Sequence, residues 1–430
     1  MTWILPSSAA ELAERLVEAE GAGPRSAAER ARGPVAVTGR PARAVPPDVD
    51  ETLAAEGTRV ISTARLAEVV DYEPRDLVIT VGAGMRLSRL RKILAAEGQW
   101  LPPAEGWTGP GGPTDGIPGG DGPPGGSGGA GGAEPGSAGG LAAAARPTAF
   151  DLRYGRTCRH VLACRLVSPH GREFRWGRPV MKNVAGYDLH GLCCGSHGRL
   201  GTLVEVSFRL WPCPRERITY GLEGNDGLAL AGQLATGTAE EELSPETLTW
   251  RRVLGTGGGA LHLTLAGSPE SVRARQERLE VWAAKRRVEI RSSRDEGQGS
   301  GAEGGGTVAK QRPRSLSSVV LRCTVQPSGW ARLARRLAAT LDEHPGLLEG
   351  YPLLGVLRCG YRRPADPAAS ATLLERLLAA AVEASVAVER GGPREHALAE
   401  ERRVPEVRAL EEKVIRALGG GPRGWIADYV

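Results

Sequence analysis

Two glycine-rich blocks hold the residue types best suited to chemistry in this 430-residue chain. The first runs Gly177-Arg178-Pro179-Val180-Met181-Lys182-Asn183-Val184-Ala185-Gly186-Tyr187-Asp188-Leu189, and the second Gly195-Ser196-His197-Gly198-Arg199-Leu200-Gly201-Thr202-Leu203-Val204. Glycines at this density let backbone approach a flat or phosphorylated ligand closely. Lys182 offers a positive charge to an anionic group, and Asn183 an amide to a ring edge. The chemistry implied is the holding of an anionic or aromatic cofactor. Gly82-Ala83-Gly84 lies between a strand and a helix, where a phosphate can rest on helix N–H groups. Leu87 stands where a G-x-G-x-x-G fingerprint needs its third glycine, so a tight strand-to-helix turn is the simpler reading. Gly255-Thr256-Gly257-Gly258-Gly259 has no helix after it and reads as a hairpin turn.

Other chemistries find less support. The seven cysteines, Cys158, Cys164, Cys193, Cys194, Cys213, Cys323 and Cys359, contain no C-x-x-C pair, which argues against a metal cluster or a disulfide scaffold. Cys193 and Cys194 read as two buried thiols pointing apart along a strand. None of the seven histidines forms H-x-x-H or H-E-x-x-H. His262, between Leu261 and Leu263, reads as a surface or packed strand residue. Glycine and proline together make up about a fifth of the chain, without the Gly-X-Y period of collagen. The net charge of +5 is spread thinly, with no basic run to bind nucleic acid. The first residues lack a basic segment followed by a long apolar one, so no signal peptide is expected, and no run of about 18 apolar residues suggests a membrane span. The expected compartment is the reducing cytoplasm.

These segments need elements to position them. Ser8-x-x-Glu11 is a capping box before a helical face of Leu12, Leu16 and Val17. Strands are expected at Pro34–Val37, Leu77–Val81, Val161–Val167 and Glu173–Trp176, and a helix at Leu87, Leu90 and Leu94, stopped by Gly98. The clearest strand alternates Val204, Val206, Phe208 and Leu210 on one side with Glu205, Ser207 and Arg209 on the other. Pro212 and Pro214 close it, placing a domain boundary at residue 214. Of the 28 residues in 109–136, 14 are Gly and 6 are Pro, so this segment reads as a disordered insertion. Beyond Pro214 the pattern predicts two β-α-β-β-α-β units in 215–430, separated by a flexible loop at 296–312. Their helices include one N-capped by Ser268 with Pro269 at its first position, one striped by Trp330, Leu333, Leu337 and Leu341, and one capped by Asp366. A final helix carries Val407, Leu410, Val414 and Leu418.

The string Met181-Lys182-Asn183-Val184-Ala185-Gly186-Tyr187-Asp188-Leu189, with G-S-x-G-x-L-G after it, resembles the FAD-binding domain of the vanillyl-alcohol-oxidase or PCMH type. More narrowly it is similar to the FAD-binding subunits of glycolate oxidase. The likeness covers residues 6–214 and includes Asp71-Tyr72 through Gly84, Gly98 to Pro102, Gly139-Gly140 and Tyr154-Gly155. It implies an α+β fold: an FAD-binding domain of two α/β subdomains at 1–214, then an α+β cap or subunit-docking domain with ferredoxin-like units at 215–430. The cofactor implied is non-covalent FAD, since residues 38–47 hold no His or Cys to attach the ring. The cofactor-binding residues carried over are Gly39, Gly82, Gly84, Leu101, Pro102, Gly139, Gly140, Tyr154, Gly155, Lys182, Asn183, Gly198, Gly201 and Val204. No catalytic residue and no metal ligand is assigned.

The resemblance further implies a subunit of a 2-hydroxy-acid dehydrogenase complex that works in flavin-dependent oxidation and electron transfer. Its partners would be a second flavin subunit and an iron–sulfur subunit, and its substrate a small 2-hydroxy acid. Its place would be the cytoplasm, reaching the inner face of the membrane through the complex. The chain departs from the family pattern at three segments. Arg40, Pro41 and Ala42 stand in the first glycine-rich loop, Ala144-Ala145-Arg146-Pro147-Thr148 replaces a Thr-Asn-x-x-Gly turn, and Cys158-Arg159 replaces an Arg-Asp pair. Pro41 has no N–H to donate. These departures motivate an alternative: a non-catalytic scaffold of the same fold that has lost the flavin.

Overall fold

The computed structural model describes residues 2–20, 35–38, 59–105, 136–168, 171–181, 189–223, 227–240, 243–254, 259–292, 319–390, 413 and 425–426. Gly39, Lys182, Asn183, the loop at 296–312 and all but the last residue of the 109–136 insertion lie outside them, as does the final helix around Val407–Leu418, save Lys413. The first strand is β1 (Thr2–Ile4). Ser8 Oγ then accepts the Glu11 N–H at 3.1 Å and starts α1 (Ala9–Glu20). The Glu11 carboxylate reaches one residue further back than a capping box requires, taking the Ser7 N–H at 2.8 Å and its hydroxyl at 2.9 Å. Those two bonds lower the Glu11 pKa. Strands β2 (Val35–Thr38) and β3 (Arg59–Ser62) run parallel to β1 in the order β1-β3-β2, and a short strand at Trp425–Ile426 adds to β2.

The second layer begins with β4 (Val69–Glu73) and β5 (Val78–Gly82). α2 (Leu87–Ala96) follows and buries Leu87, Leu90 and Leu94, as its spacing requires; Gly98, at φ +64°, lies just beyond its end. β6 (Gln99–Trp100) leads to the wholly buried α3 (Ala138–Ala144), and then come β7 (Val161–Val167), β8 (Glu173–Gly177), β9 (Thr202–Arg209) and β10 (Trp211–Pro212). An antiparallel sheet forms in the order β4-β5-β9-β7-β8, while β6 pairs with β10. β9 is central and buried on both faces: Thr80 and Ser207 meet hydroxyl to hydroxyl at 2.8 Å on one of them. The expected alternation fails at one residue. Arg165 pairs with Glu205 but Leu166 with Leu203, so Val204 is an extra, bulged residue. It leaves the face of Val206 and Phe208 and joins Leu12, Ile61 and Val167 instead, tying this sheet to the parallel one. Cys193 and Cys194 are also corrected, because Cys193 ends a single helical turn at His190–Cys193 and only it is buried.

After Pro214 the chain builds β11 (Glu216–Glu223), α4 (Gly227–Glu240), β12 (Thr247–Val253), β13 (Ala260–Gly267), α5 (Pro269–Arg286) and β14 (Glu289–Ser292). The second unit repeats the pattern as β15 (Val319–Thr324), α6 (Trp330–Leu341), β16 (Gly346–Tyr351), β17 (Val356–Tyr361), α7 (Pro367–Ala380) and β18 (Ser385–Arg390). The order β14-β11-β13-β12-β16-β17-β15-β18 makes two ferredoxin-like units into one antiparallel sheet. Their second strands meet at the seam, where Trp250 stands opposite Gly350 and Arg251 opposite Glu349. β12 and β13 pair antiparallel, while residues 255–258, the expected hairpin turn, lie outside the described residues. Ser268 and Asp366 cap their helices as expected. His262 packs in β13, where burial pushes its pKa down to about 4. Among the described residues no helix is long and apolar enough to cross a membrane.

Candidate functional site

The upper ends of β5 and β9 gather half of the sequence-predicted cofactor-binding residues. Ala83 N–H donates to Val204 O at 2.8 Å, and Gly139 N–H donates to Ala83 O at 2.8 Å. The loop after β3 lies directly on this turn, so a Cβ on Gly82 would stand 2.2 Å from Leu66 O and one on Gly84 2.0 Å from Thr63 O. A Cβ on Gly139 would meet the Ala83 Cβ at 2.8 Å. Glycine is therefore required at these positions by backbone packed on backbone. From the other side, Gly195 and His197 N–H groups donate to the carbonyls of Ala142 and Ala143 at the end of α3. The 195–201 coil takes left-handed φ values at Gly195 (+77°), His197 (+50°) and Gly198 (+72°), and Gly201 is at +151°. Gly82, Gly84, Gly139, Gly140, Gly198, Gly201 and Val204 thus share one end of the sheet.

Their donors are largely engaged within the protein. Gly82 N–H bonds Glu68 O, Gly84 N–H bonds Leu66 O, and Gly201 N–H bonds Gly198 O. Gly140 and Gly198 N–H groups bond the Ser137 and Ser196 hydroxyls at 3.1 and 3.3 Å. One polar atom stands out, missed by the sequence reading. Thr202 Oγ1, at the first residue of β9 and beside Gly201, is buried with no hydrogen-bond partner. A buried hydroxyl in that state costs about 1–3 kcal/mol unless something bonds it.

Leu101, Pro102, Tyr154 and Gly155 sit elsewhere. Leu101 packs in the core under α2, and Pro102 opens a buried turn at Pro102–Glu105. Tyr154 belongs to the junction with the eight-stranded sheet. Its ring meets Trp100 and Trp211 edge-on, with centroids 5.2 and 5.1 Å apart, and its hydroxyl donates to Glu246 Oε1 at 2.8 Å. Arg217 binds the same carboxylate through Nε at 2.6 Å and Nη2 at 3.0 Å, and lies 4.6 Å over the Trp100 ring. Burial works against the Arg217 charge, but Glu246 outweighs it and the Arg217 pKa is raised. Burial and the adjoining Glu246 hold the Tyr154 hydroxyl protonated. Nearby, burial raises Asp151 from 3.8 to about 6 against the opposing Thr148 hydroxyl bond. Burial also pushes His160 down to about 4. Spacing could not have revealed this cluster, since Tyr154 and Glu246 are 92 residues apart.

The fold has clear counterparts. Two structures of alkyldihydroxyacetonephosphate synthase superpose on 98% of this chain and 76% of theirs, with TM-scores of 0.62 and 0.60 at 15% and 14% identity. The fold is the FAD-binding PCMH-type fold. Searched against protein-family models, the chain matches none. Among curated proteins it is 32% identical over 211 residues to the glycolate oxidase subunit GlcE of Escherichia coli, 49% of this chain and 51% of that one. It is 34% identical over 97 residues to glycolate oxidase subunit GlcD of Bacillus subtilis, and 28% over 165 residues to D-2-hydroxyglutarate dehydrogenase of Xanthomonas citri pv. viticola. These cover 23% and 38% of this chain, and 20% and 29% of the relatives. The chain therefore spans about half, or less, of the length of the curated relatives it matches. The likeness to glycolate oxidase subunits expected from the Lys182–Leu189 block is borne out, and so is the PCMH-type fold.

Proposed function

We propose that this chain is an FAD-binding subunit of a glycolate oxidase-like 2-hydroxy-acid dehydrogenase complex. The observation that carries the reading is the meeting of the Gly82–Gly84, Gly139–Gly140 and Gly198–Val204 segments at one end of the β5–β9 pair, on a PCMH-type fold. The residues fit a cofactor held by closely approaching backbone, and the buried Thr202 hydroxyl supplies a polar group in need of a partner. In this reading Gly82, Gly84, Gly139 and Gly140 shape the cradle by letting backbones touch, because their own N–H groups are engaged. Direct contact falls to Thr202 and to Gly39, Lys182 and Asn183, with Gly198, Gly201 and Val204 forming the wall. Leu101 and Pro102 pack in the core away from this end, and Tyr154 joins the two halves. FAD supplies two-electron redox chemistry when bound. Lys182 would balance phosphate charge there, and the close-packed glycines would keep water out.

The complex would add a second flavin subunit and an iron–sulfur subunit, with the eight-stranded sheet as cap and docking surface. The cytoplasm, next to the inner face of the membrane, is the proposed location. A second reading, a scaffold that keeps the fold without flavin, is favoured by the internal engagement of the glycine donors. Purifying the chain with its co-expressed partners separates the two. Flavin absorbance that stays with the chain through gel filtration, together with hydroxy-acid-dependent dye reduction, supports the first. A colourless chain that quenches no FAD fluorescence on titration supports the second.

A further inference from the structure

β7 and the helical turn at His190–Cys193 meet through two thiols. Cys164 Sγ lies 3.2 Å from Cys193 Sγ, and the two residues are 4% and 2% exposed. A disulfide bond is about 2.05 Å long, so a closing movement of little more than about 1 Å would join them. Both backbones are already fixed. Cys164 pairs with Trp176 and Val206 in the sheet, and the Cys193 carbonyl takes the Ser196 hydroxyl at 2.8 Å and the Ser196 N–H at 3.3 Å. Cys194, one residue on, is half-exposed and extended, and Cys158 is exposed on another turn. The helical turn lies between the two glycine blocks, so a bond here would close a loop that contains Lys182 and Asn183.

We propose that Cys164 and Cys193 are an oxidation site, converted to a disulfide by hydrogen peroxide. The sulfur of one attacks a peroxide oxygen, breaking the O–O bond; the sulfur becomes a sulfenic acid and water leaves. The second thiol displaces the sulfenic oxygen as a second water, forming the S–S bond. Two thiols give up two electrons and two protons, and one peroxide becomes two waters. The contact with Cys164 and then burial hold the Cys193 thiol protonated, so the reaction waits on opening of the helical turn and runs more slowly than oxidation of the exposed Cys158. The closed loop restricts the unfolded chain and raises the melting midpoint by several degrees.

The test uses the full chain, reduced, freed of reductant, treated with hydrogen peroxide, alkylated in denaturant and cut with trypsin. The expected product joins the His160–Arg165 peptide to the Asn183–Arg199 peptide, with fragmentation placing the bond at Cys193. It should persist in Cys194→Ser and vanish in Cys164→Ser and Cys193→Ser. The melting midpoint of oxidised wild type should rise and return with dithiothreitol. A bond mapped to Cys194, or no linked peptide while Cys158 is oxidised, would overturn the proposal; fragmentation of the wild-type product decides this even if a variant fails to fold.

Discussion

The Tyr154 hydroxyl donates to Glu246 Oε1 at 2.8 Å, joining the turn at Asp151–Tyr154 to the start of β12 across the two halves of the molecule. The Glu246 side chain is wholly buried and also holds Arg217. Removing one member of a buried pair leaves an uncompensated charge, which costs about 3–5 kcal/mol. Glu246→Ala should therefore destabilise by about that much. Tyr154→Phe leaves the pair intact and removes one bond to a charged acceptor, so it should cost about 1.5–3 kcal/mol. Urea unfolding of both variants checks this, and a Glu246→Ala loss under 1 kcal/mol would show that the junction does not hold the halves together.

Asp151 gives a pH-dependent counterpart. Its folded pKa, about 6, is above its ordinary 3.8, so the fold prefers it protonated. That contribution is fully present below about pH 3.8 and is lost as pH rises through 6. At pH 7 the buried carboxylate then costs on the order of 3 kcal/mol, as an upper figure. Asp151→Asn keeps the acceptor for Thr148 and should stabilise the protein at pH 7.5, with the gain gone by about pH 4. Because the comparison is variant against wild type at each pH, the opposite titration of His160 cancels. A gain that is constant with pH would rule out the burial of the carboxylate as its cause.

Ser137 gives a structural test at the edge of the Gly/Pro-rich insertion. Its hydroxyl caps α3 by accepting the Gly140 N–H, and its backbone pairs with that of Arg86 just before α2 in an antiparallel bridge. Gly136 O takes the Leu87 N–H at 3.0 Å. Replacing residues 109–135 with a short Gly-Ser link should leave the melting midpoint almost unchanged, since loop closure depends only weakly on length. Extending the cut through Ser137 should cost about 1 kcal/mol or more from the lost cap. Thermal melts of the two deletions compare them. Equal losses would mean that the insertion itself supports the fold.

Much of the fold was legible because local rules and tertiary demands agree. The Leu87-Leu90-Leu94 stripe, the Ser268 and Asp366 caps and the doubled β-α-β-β-α-β pattern all stand as their spacing predicts. Val204 was misplaced because a bulge depends on the partner strand, which period-two alternation does not encode. The site was less legible still. G-x-G spacing marks where backbones approach, but whether Gly82 and Gly139 donate to a ligand or to Glu68 and Ala83 is settled by segments far away in sequence. The pairing of Tyr154 with Glu246 and of Cys164 with Cys193 likewise arises only when strands assemble.

The flavin reading makes the sharpest demand on the chain. With the Gly82, Gly84, Gly139 and Gly140 N–H groups bonded to protein acceptors, phosphate contact rests on Lys182, Asn183 and the loop holding Gly39. In that loop Pro41 has no N–H, and Arg40 and Ala42 carry side chains where glycine would let the backbone close. Each N–H donated to a phosphate is worth about 1.5–3 kcal/mol, so FAD should bind more weakly than with one or two further donors, by about tenfold for one at the low end to on the order of 10⁴-fold for two at the high end. Glycine at positions 40, 41 and 42 should tighten FAD, while Lys182→Ala and Asn183→Ala should loosen it, all read by flavin fluorescence quenching on titration. Thr202→Val separates the two readings of the buried hydroxyl. If Oγ1 bonds the cofactor, the variant loses FAD affinity by about tenfold; if nothing bonds it, the apolar isostere leaves affinity unchanged and raises the melting midpoint. No quenching in wild type, and none after the glycine replacements, would leave the scaffold reading standing.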